Sequence, residues 1–207
     1  MITKIHLENF KGFKERQTIE LKPITLLFGP NSGGKSTVIQ AIHYMREILD
    51  RRNFDPDRTV AGGDAIDLGG FENMVYGHDL SLPIIMQFDM DLTNIDLPSY
   101  VDLNEEFNVD YQLQHQGHLE SLFAKVTSGY VQVEVRWNEE LQKPIAVKYE
   151  TGINSEYFAR IVLDRITANN KSQFNIAKDI NFNHKLLKVE VKEQKDENFF
   201  IHVEANI

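Results

Sequence analysis

Apolar residues alternate with polar ones at the start of the chain, with Ile2, Ile5 and Leu7 spaced among polar neighbours and Phe10 just beyond. That period predicts a strand over residues 2–9. Gly12 marks a turn, and Gln17-Thr18-Ile19-Glu20-Leu21 alternates as a second strand until Pro23. Ile24-Thr25-Leu26-Leu27-Phe28 is almost continuously apolar, the pattern of a short strand buried on both faces. From Lys35 to about Asp50 the apolar residues Val38, Ile39, Ala41, Ile42, Met45, Ile48 and Leu49 fall at helical spacing. Residues 51–70 are turn-rich, holding Asp55-Pro56-Asp57, Gly62-Gly63 and Gly69-Gly70, and read as a mobile surface loop. One helical turn is predicted over 71–76 and a strand over 84–90. Residues 93–129 are polar, with a short helix predicted over 118–126. Strands follow at 130–137, 145–150, 157–163, 186–192 and 199–205. Strands in succession without intervening helices form an antiparallel sheet. The predicted fold class is α/β, a strand–loop–helix unit with an added antiparallel β-sheet.

The link between the third strand and the helix carries chemistry. Gly29-Pro30-Asn31-Ser32-Gly33-Gly34-Lys35-Ser36-Thr37 contains the complete G-x-x-x-x-G-K-S pattern of a phosphate-binding loop. Gly29, Gly33 and Gly34 allow a tight turn whose N–H groups point inward at phosphate oxygens. Lys35 supplies a positive charge for the terminal phosphates, and the Ser36 hydroxyl is placed to ligate Mg²⁺. A helix opening at Gly34 and Lys35 adds its positive dipole end. Nucleotide binding is the implied activity.

Composition narrows the setting. The chain has 207 residues, 42% of them hydrophobic, enough for one large domain or two small ones. It lacks cysteine, so disulfides and thiolate metal sites are excluded. There is no apolar run of membrane-spanning length and no signal-peptide core at the start, so a cytoplasmic protein without a membrane partner is expected. Residues 1–52 hold nine Lys and Arg against five Asp and Glu, a net of +4, while the whole chain carries −9, leaving −13 for the remainder. An acidic remainder does not suit a broad nucleic-acid groove, which needs clustered Lys and Arg. If nucleic acid binds, another part of the assembly or a small local patch holds it.

Ile5-His6-Leu7-Glu8-Asn9-Phe10-Lys11-Gly12-Phe13, followed by two strands and the phosphate loop, resembles the opening of ABC-type ATPases of the SMC, RecF and OLD group. Asp67-Leu68-Gly69-Gly70-Phe71-Glu72-Asn73-Met74-Val75 is similar to a subgroup of bacterial AAA-labelled ATPases, many found in anti-phage defence and retron systems. The resemblance implies an ABC/SMC head-like lobe in which residues 31–37 wrap the triphosphate of ATP with Mg²⁺. It also implies that Lys11 and Phe13 lie near the base, ribose or α-phosphate. Without it, Phe13 reads as a core or strand-end residue and Lys11 as a solvated charge.

Such ATPases also need an apolar strand ending in Asp-Glu, a serine-glycine signature helix and a switch histidine, and no catalytic residue of that set is identified. Ile161-Val162-Leu163-Asp164 is the nearest imitation of the strand, yet Arg165 stands where Glu belongs, and it reads more simply as a sheet strand ending at a turn. Ala61-Gly62-Gly63-Asp64 mimics the signature but has no amphipathic helix behind it. His115 and His118 are three apart and read as exposed polar residues. Gln87 has the sequence position of a magnesium-contacting glutamine, although it falls inside a predicted strand. The chain therefore reads as half an ATPase: a phosphate-binding lobe over 1–92 and its strand-rich continuation over 93–207. A second copy or a C-terminal half would complete the site. The alternatives are a self-contained small P-loop kinase or GTPase using Asp164, or a nucleotide-switched scaffold for an effector protein.

Overall fold

A computed structural model describes residues 1–30, 33–56, 66–93, 125–166, 172–175, 180–181, 183–193 and 199–205. β1 (Ile2–Glu8), β2 (Gln17–Glu20), β3 (Ile84–Asp91), β4 (Ser128–Asn138), β5 (Lys143–Ile153), β6 (Glu156–Ile166) and β7 (Ser172–Asn175) form a seven-stranded sheet in the order β2-β1-β3-β4-β5-β6-β7. Every pairing in it is antiparallel. β8 (Leu187–Glu193) and β9 (Phe199–Ala205) make a separate antiparallel pair. Among the described residues, α-helices run over Lys35–Arg51 (α1) and over the five residues Gly70–Met74 (α2), with a 3-10 turn at Tyr76–His78. No described helix is long and apolar enough to cross a membrane.

Alternation along the strands gives the sheet two unlike faces. Ile5, Leu7, Ile84, Met86, Phe88, Val133 and Val135 point to one side and are buried in a single cluster with Val38, Ala41, Tyr44, Met45 and Ile48 of α1. Register places a polar row on the other side: Thr18, His6, Gln87, Gln132, Glu150 and Arg160 lie abreast on β2, β1, β3, β4, β5 and β6. This row bonds laterally. His6 Nδ1 meets Thr18 Oγ1 at 2.9 Å, Arg16 donates to Gln87 Oε1 at 2.6 Å, and Arg160 grips Glu150 through two nitrogens. The sheet runs on past residue 92, since β3 and β4 are paired along their length.

The described elements read from the pattern form close to their expected places, with one correction. Residues 24–28 make no strand, and Ile24, Leu26 and Phe28 are exposed by 83, 70 and 86%. An extended apolar segment becomes a strand only where a neighbour closes its ladder, and the seven-stranded sheet does not extend to this one. Among the described residues of 51–70, Pro56, Leu68 and Gly70 are buried while Arg51, Arg52 and Asp67 are exposed, and residues 57–65 of the expected loop lie outside the described residues. The signature-like residues 61–64, His115 with His118, and residues 118–124 of the helix predicted over 118–126 lie outside the described residues. β7, too short and too polar to stand out, has no counterpart in the sequence reading.

Candidate nucleotide-binding site

α1 begins at the phosphate loop. Gly34 is its N-cap in the left-handed conformation, φ 82° and ψ 5°, and Gly29 also has positive φ, 146°. A β-carbon on Gly34 would lie 2.7 Å from Cζ of Phe13, so the position is closed to larger residues by backbone conformation and by space. Gly33 N–H donates to Pro30 O at 2.9 Å, and Val38 N–H to Gly34 O at 3.2 Å as α1 starts. Lys35 Nζ folds over the loop, donating to Gly29 O at 2.7 Å and Pro30 O at 2.6 Å. Its ammonium is thereby held at the mouth of the loop, beside the start of α1. Ser36 is exposed and Thr37 half-buried on the first turn. Asn31 and Ser32 are outside the described residues.

The turn after β1 supplies the other expected site residues. Phe10 and Phe13 exchange backbone bonds, each N–H donating to the other's carbonyl at 2.9 Å, and Asn9 N–H reaches Lys14 O. Positive φ falls on Asn9 and Lys11, 52° and 51°, rather than on Gly12, the residue whose sequence signalled the turn. Lys11 N–H donates to Met74 O at 2.6 Å, which ties the turn to the end of α2. Burial of the Lys11 side chain pushes its ammonium below the ordinary lysine range. The Phe10 ring stacks on Tyr44 of α1 with centroids 6.0 Å apart, a contact that only the fold reveals.

The glycine-rich segment over 67–75 has a structural task. Asp67 Oδ1 accepts from Gly69 N–H, Asn73 Nδ2 donates to Gly69 O at 2.6 Å, and Asp55 Oδ1 accepts from Phe71 N–H. Phe71 is buried against Trp137. α2 is thus pinned between the end of α1 and the turn that carries Lys11 and Phe13.

Gln87 does not belong to this site. It sits mid-strand on the polar face of β3, held by Arg16 and donating to Asp89 Oδ1 at 2.7 Å, while its neighbours Met86 and Phe88 face α1. The two-residue period of a strand puts it on the side away from the helix that the loop opens. Asp164 is likewise displaced from any strand end. β6 continues to Ile166, and the pairing with β7 shifts register between Leu163 and Arg165, which leaves Asp164 at a bulge.

A left-handed glycine cap, a lysine over the loop mouth and a helix running from it onto an antiparallel sheet define a P-loop ATPase lobe. The chain belongs to the AAA ATPase domain family, whose model matches residues 1–205. Among curated proteins it is similar to DNA replication and repair protein RecF of Chlorobium phaeobacteroides, 33% identical over 79 residues, covering 34% of this chain and 22% of that protein. RecF of Roseiflexus castenholzii is 42% identical over 45 residues, 21% of this chain and 11% of that protein. RecF of Desulforamulus reducens is 37% identical over 59 residues, 28% and 16% of the two lengths. The chain therefore spans about a fifth or less of the length of these relatives.

Proposed function

We propose that this chain is the ATP-binding lobe of an ABC/SMC-like ATPase, with residues 1–92 forming the nucleotide part and 93–207 its strand-rich continuation. Residues 29–37 hold the triphosphate, Lys35 leaves the Gly29 and Pro30 carbonyls for the terminal phosphates, and Ser36 ligates Mg²⁺. Binding draws in a second copy or a C-terminal half that supplies the water-activating carboxylate and the signature loop. The association controls a DNA-related or anti-phage activity in the cytoplasm. DNA handling is suggested by the RecF relatives' name, and defence by the resemblance of residues 67–75.

The observation that carries this is the apolar surface on either side of the loop. Ile24, Leu26 and Phe28 precede it bare, and α1 exposes Ile39 away from its buried stripe and Ile42 and Leu49 along the edge of that stripe. A helix whose apolar residues spread beyond its buried stripe leaves surface for a further layer to cover. Burying each such side chain is worth about 1.5–3 kcal/mol, so covering layers here would stabilise the site by several times the free energy of one surface contact. A self-contained kinase or GTPase does not account for this surface, and Asp164 at a bulge in β6 is not positioned at the end of a strand as that reading needs. An effector-binding scaffold is compatible with the lobe but rests on the acidic, strand-rich character of residues 130–207 alone.

Calorimetry of ATP and a non-hydrolysable analogue, with and without Mg²⁺, tests the proposal on this chain. Expected is Mg²⁺-dependent binding that Lys35→Ala abolishes, with almost no turnover. Binding indifferent to Lys35→Ala would remove the loop as the site. Turnover at the level of complete ATPases would remove the need for a second half.

A further inference from the structure

Phe13 meets the phosphate loop from beneath. Its ring occupies the space a β-carbon of Gly34 would need, with Cζ 2.7 Å and Cε1 3.0 Å from that position. The ring is carried on a turn with little freedom. Asn9 Nδ2 donates to Pro83 O at 3.0 Å, Tyr76 N–H donates to Asn9 O at 3.0 Å, and Lys11 N–H holds Met74 O. The same turn presses on α1 twice, through Phe10 stacked on Tyr44 within the helix and through Phe13 at its N-cap. The sheet, α2 and α1 thereby fix the ring, and the ring limits where the backbone of Gly34 can lie.

Building on the reading of residues 29–37 as the ATP site, we propose that Phe13 is a positioning residue for the phosphate loop, seating Gly34 so that the first N–H groups of α1 are aimed before any phosphate arrives. Its role is exerted through the loop and not by stacking on a base. Donors fixed in advance give up no ordering entropy on binding, which is where such a seat contributes affinity. Glycine and aromatic are complementary: Gly34 supplies the left-handed backbone, and Phe13 fills the volume its missing side chain leaves.

Two measurements on Phe13→Ala, Phe13→Leu and Phe13→Tyr test this. In hydrogen exchange on the chain without ligand, amides 34–38 are expected to exchange about tenfold faster in Phe13→Ala while those of β3 and β4 keep their protection. Phe13→Tyr is expected to match the wild type and Phe13→Leu to fall between. In calorimetry, Mg²⁺·ATP and inorganic tripolyphosphate are both expected to weaken by the same factor. That factor should lie between about tenfold and a hundredfold, as for a displacement of about 1 Å in a reacting site. Unchanged exchange at 34–38 overturns the proposal, as does a loss confined to ATP, which would make the ring a base contact. If the wild type bound neither ligand while the exchange difference held, the seat would stand and the ATP reading would fall. Should Phe13→Ala fail to fold, Phe13→Leu decides by the same two comparisons.

Discussion

Gly34 shows how much one residue position can carry. Its φ of 82° is strained for any L side chain by about 1–2 kcal/mol, before the overlap with Phe13 is counted. Gly34→Ala is expected to lower the melting temperature by roughly 2–8 °C, read by differential scanning calorimetry. Tyr130 gives a pH prediction. Its ring covers Gly152, where a β-carbon would overlap it, and its hydroxyl donates to Glu150 Oε1 at 3.2 Å. Burial, with the Glu150 charge and hydrogen bond behind it, pushes the phenol up to about 12. A group with a folded pKa above its unfolded value of about 10 stabilises fully below that value and loses its contribution as pH rises through the folded one. Stability should therefore fall between about pH 10 and 12, and Tyr130→Phe should flatten part of that fall in urea midpoints taken across the range.

At the scale of elements, α1 separates two kinds of apolar residue that its sequence presents as one set. Ala41 is fully buried against the sheet, whereas Ile39 and Ile42 are exposed by 55 and 36%. Ala41→Glu would bury an unpaired charge and is expected to destabilise by about 3 kcal/mol or more. Ile39→Glu and Ile42→Glu are expected to stay within about 0.5 kcal/mol of the wild type in urea unfolding. Equal destabilisation by all three would show α1 covered on both sides within this chain. α2 is short, yet Phe71 anchors it, and Phe71→Ala is expected to cost about 3–5 kcal/mol by the same measurement. β1, β3 and α1 were legible because each has a period that one buried face imposes, two for the strands and near 3.6 for the helix, whereas the short polar β7 carries no such period. Residues 24–28 were misread for the same reason. Their apolar run states that the segment is to be buried, but a strand also needs a neighbour, and that information is not local.

For the whole molecule, the sheet and α1 form two layers, and the loop lies at the margin where α1 starts. Its mouth is surface, with residues 22–30 exposed throughout. Two clefts among the described residues lie elsewhere, one of about 340 Å³ beside Arg52, Asp55 and Lys143, another of about 290 Å³ over Thr3, Gln87, Asp89 and Tyr130. Nucleotide affinity of this lobe by itself should accordingly be weak, and sedimentation should show association, with a second copy or with an added complementary half, only when Mg²⁺·ATP is present.

The sequence by itself determined the phosphate loop, the strongly periodic elements and the membership of the chain among ATP-binding lobes, because each is written in local spacing: G-x-x-x-x-G-K-S, period two, period 3.6. Only the tertiary structure decided which face each strand buries, which removed Gln87 from the site, set Asp164 at a bulge and brought Phe13 under Gly34. Those facts depend on register and on contacts between residues far apart in the chain. Side chains two residues apart share a face by geometry, but which face meets α1 is fixed only when the sheet closes on it.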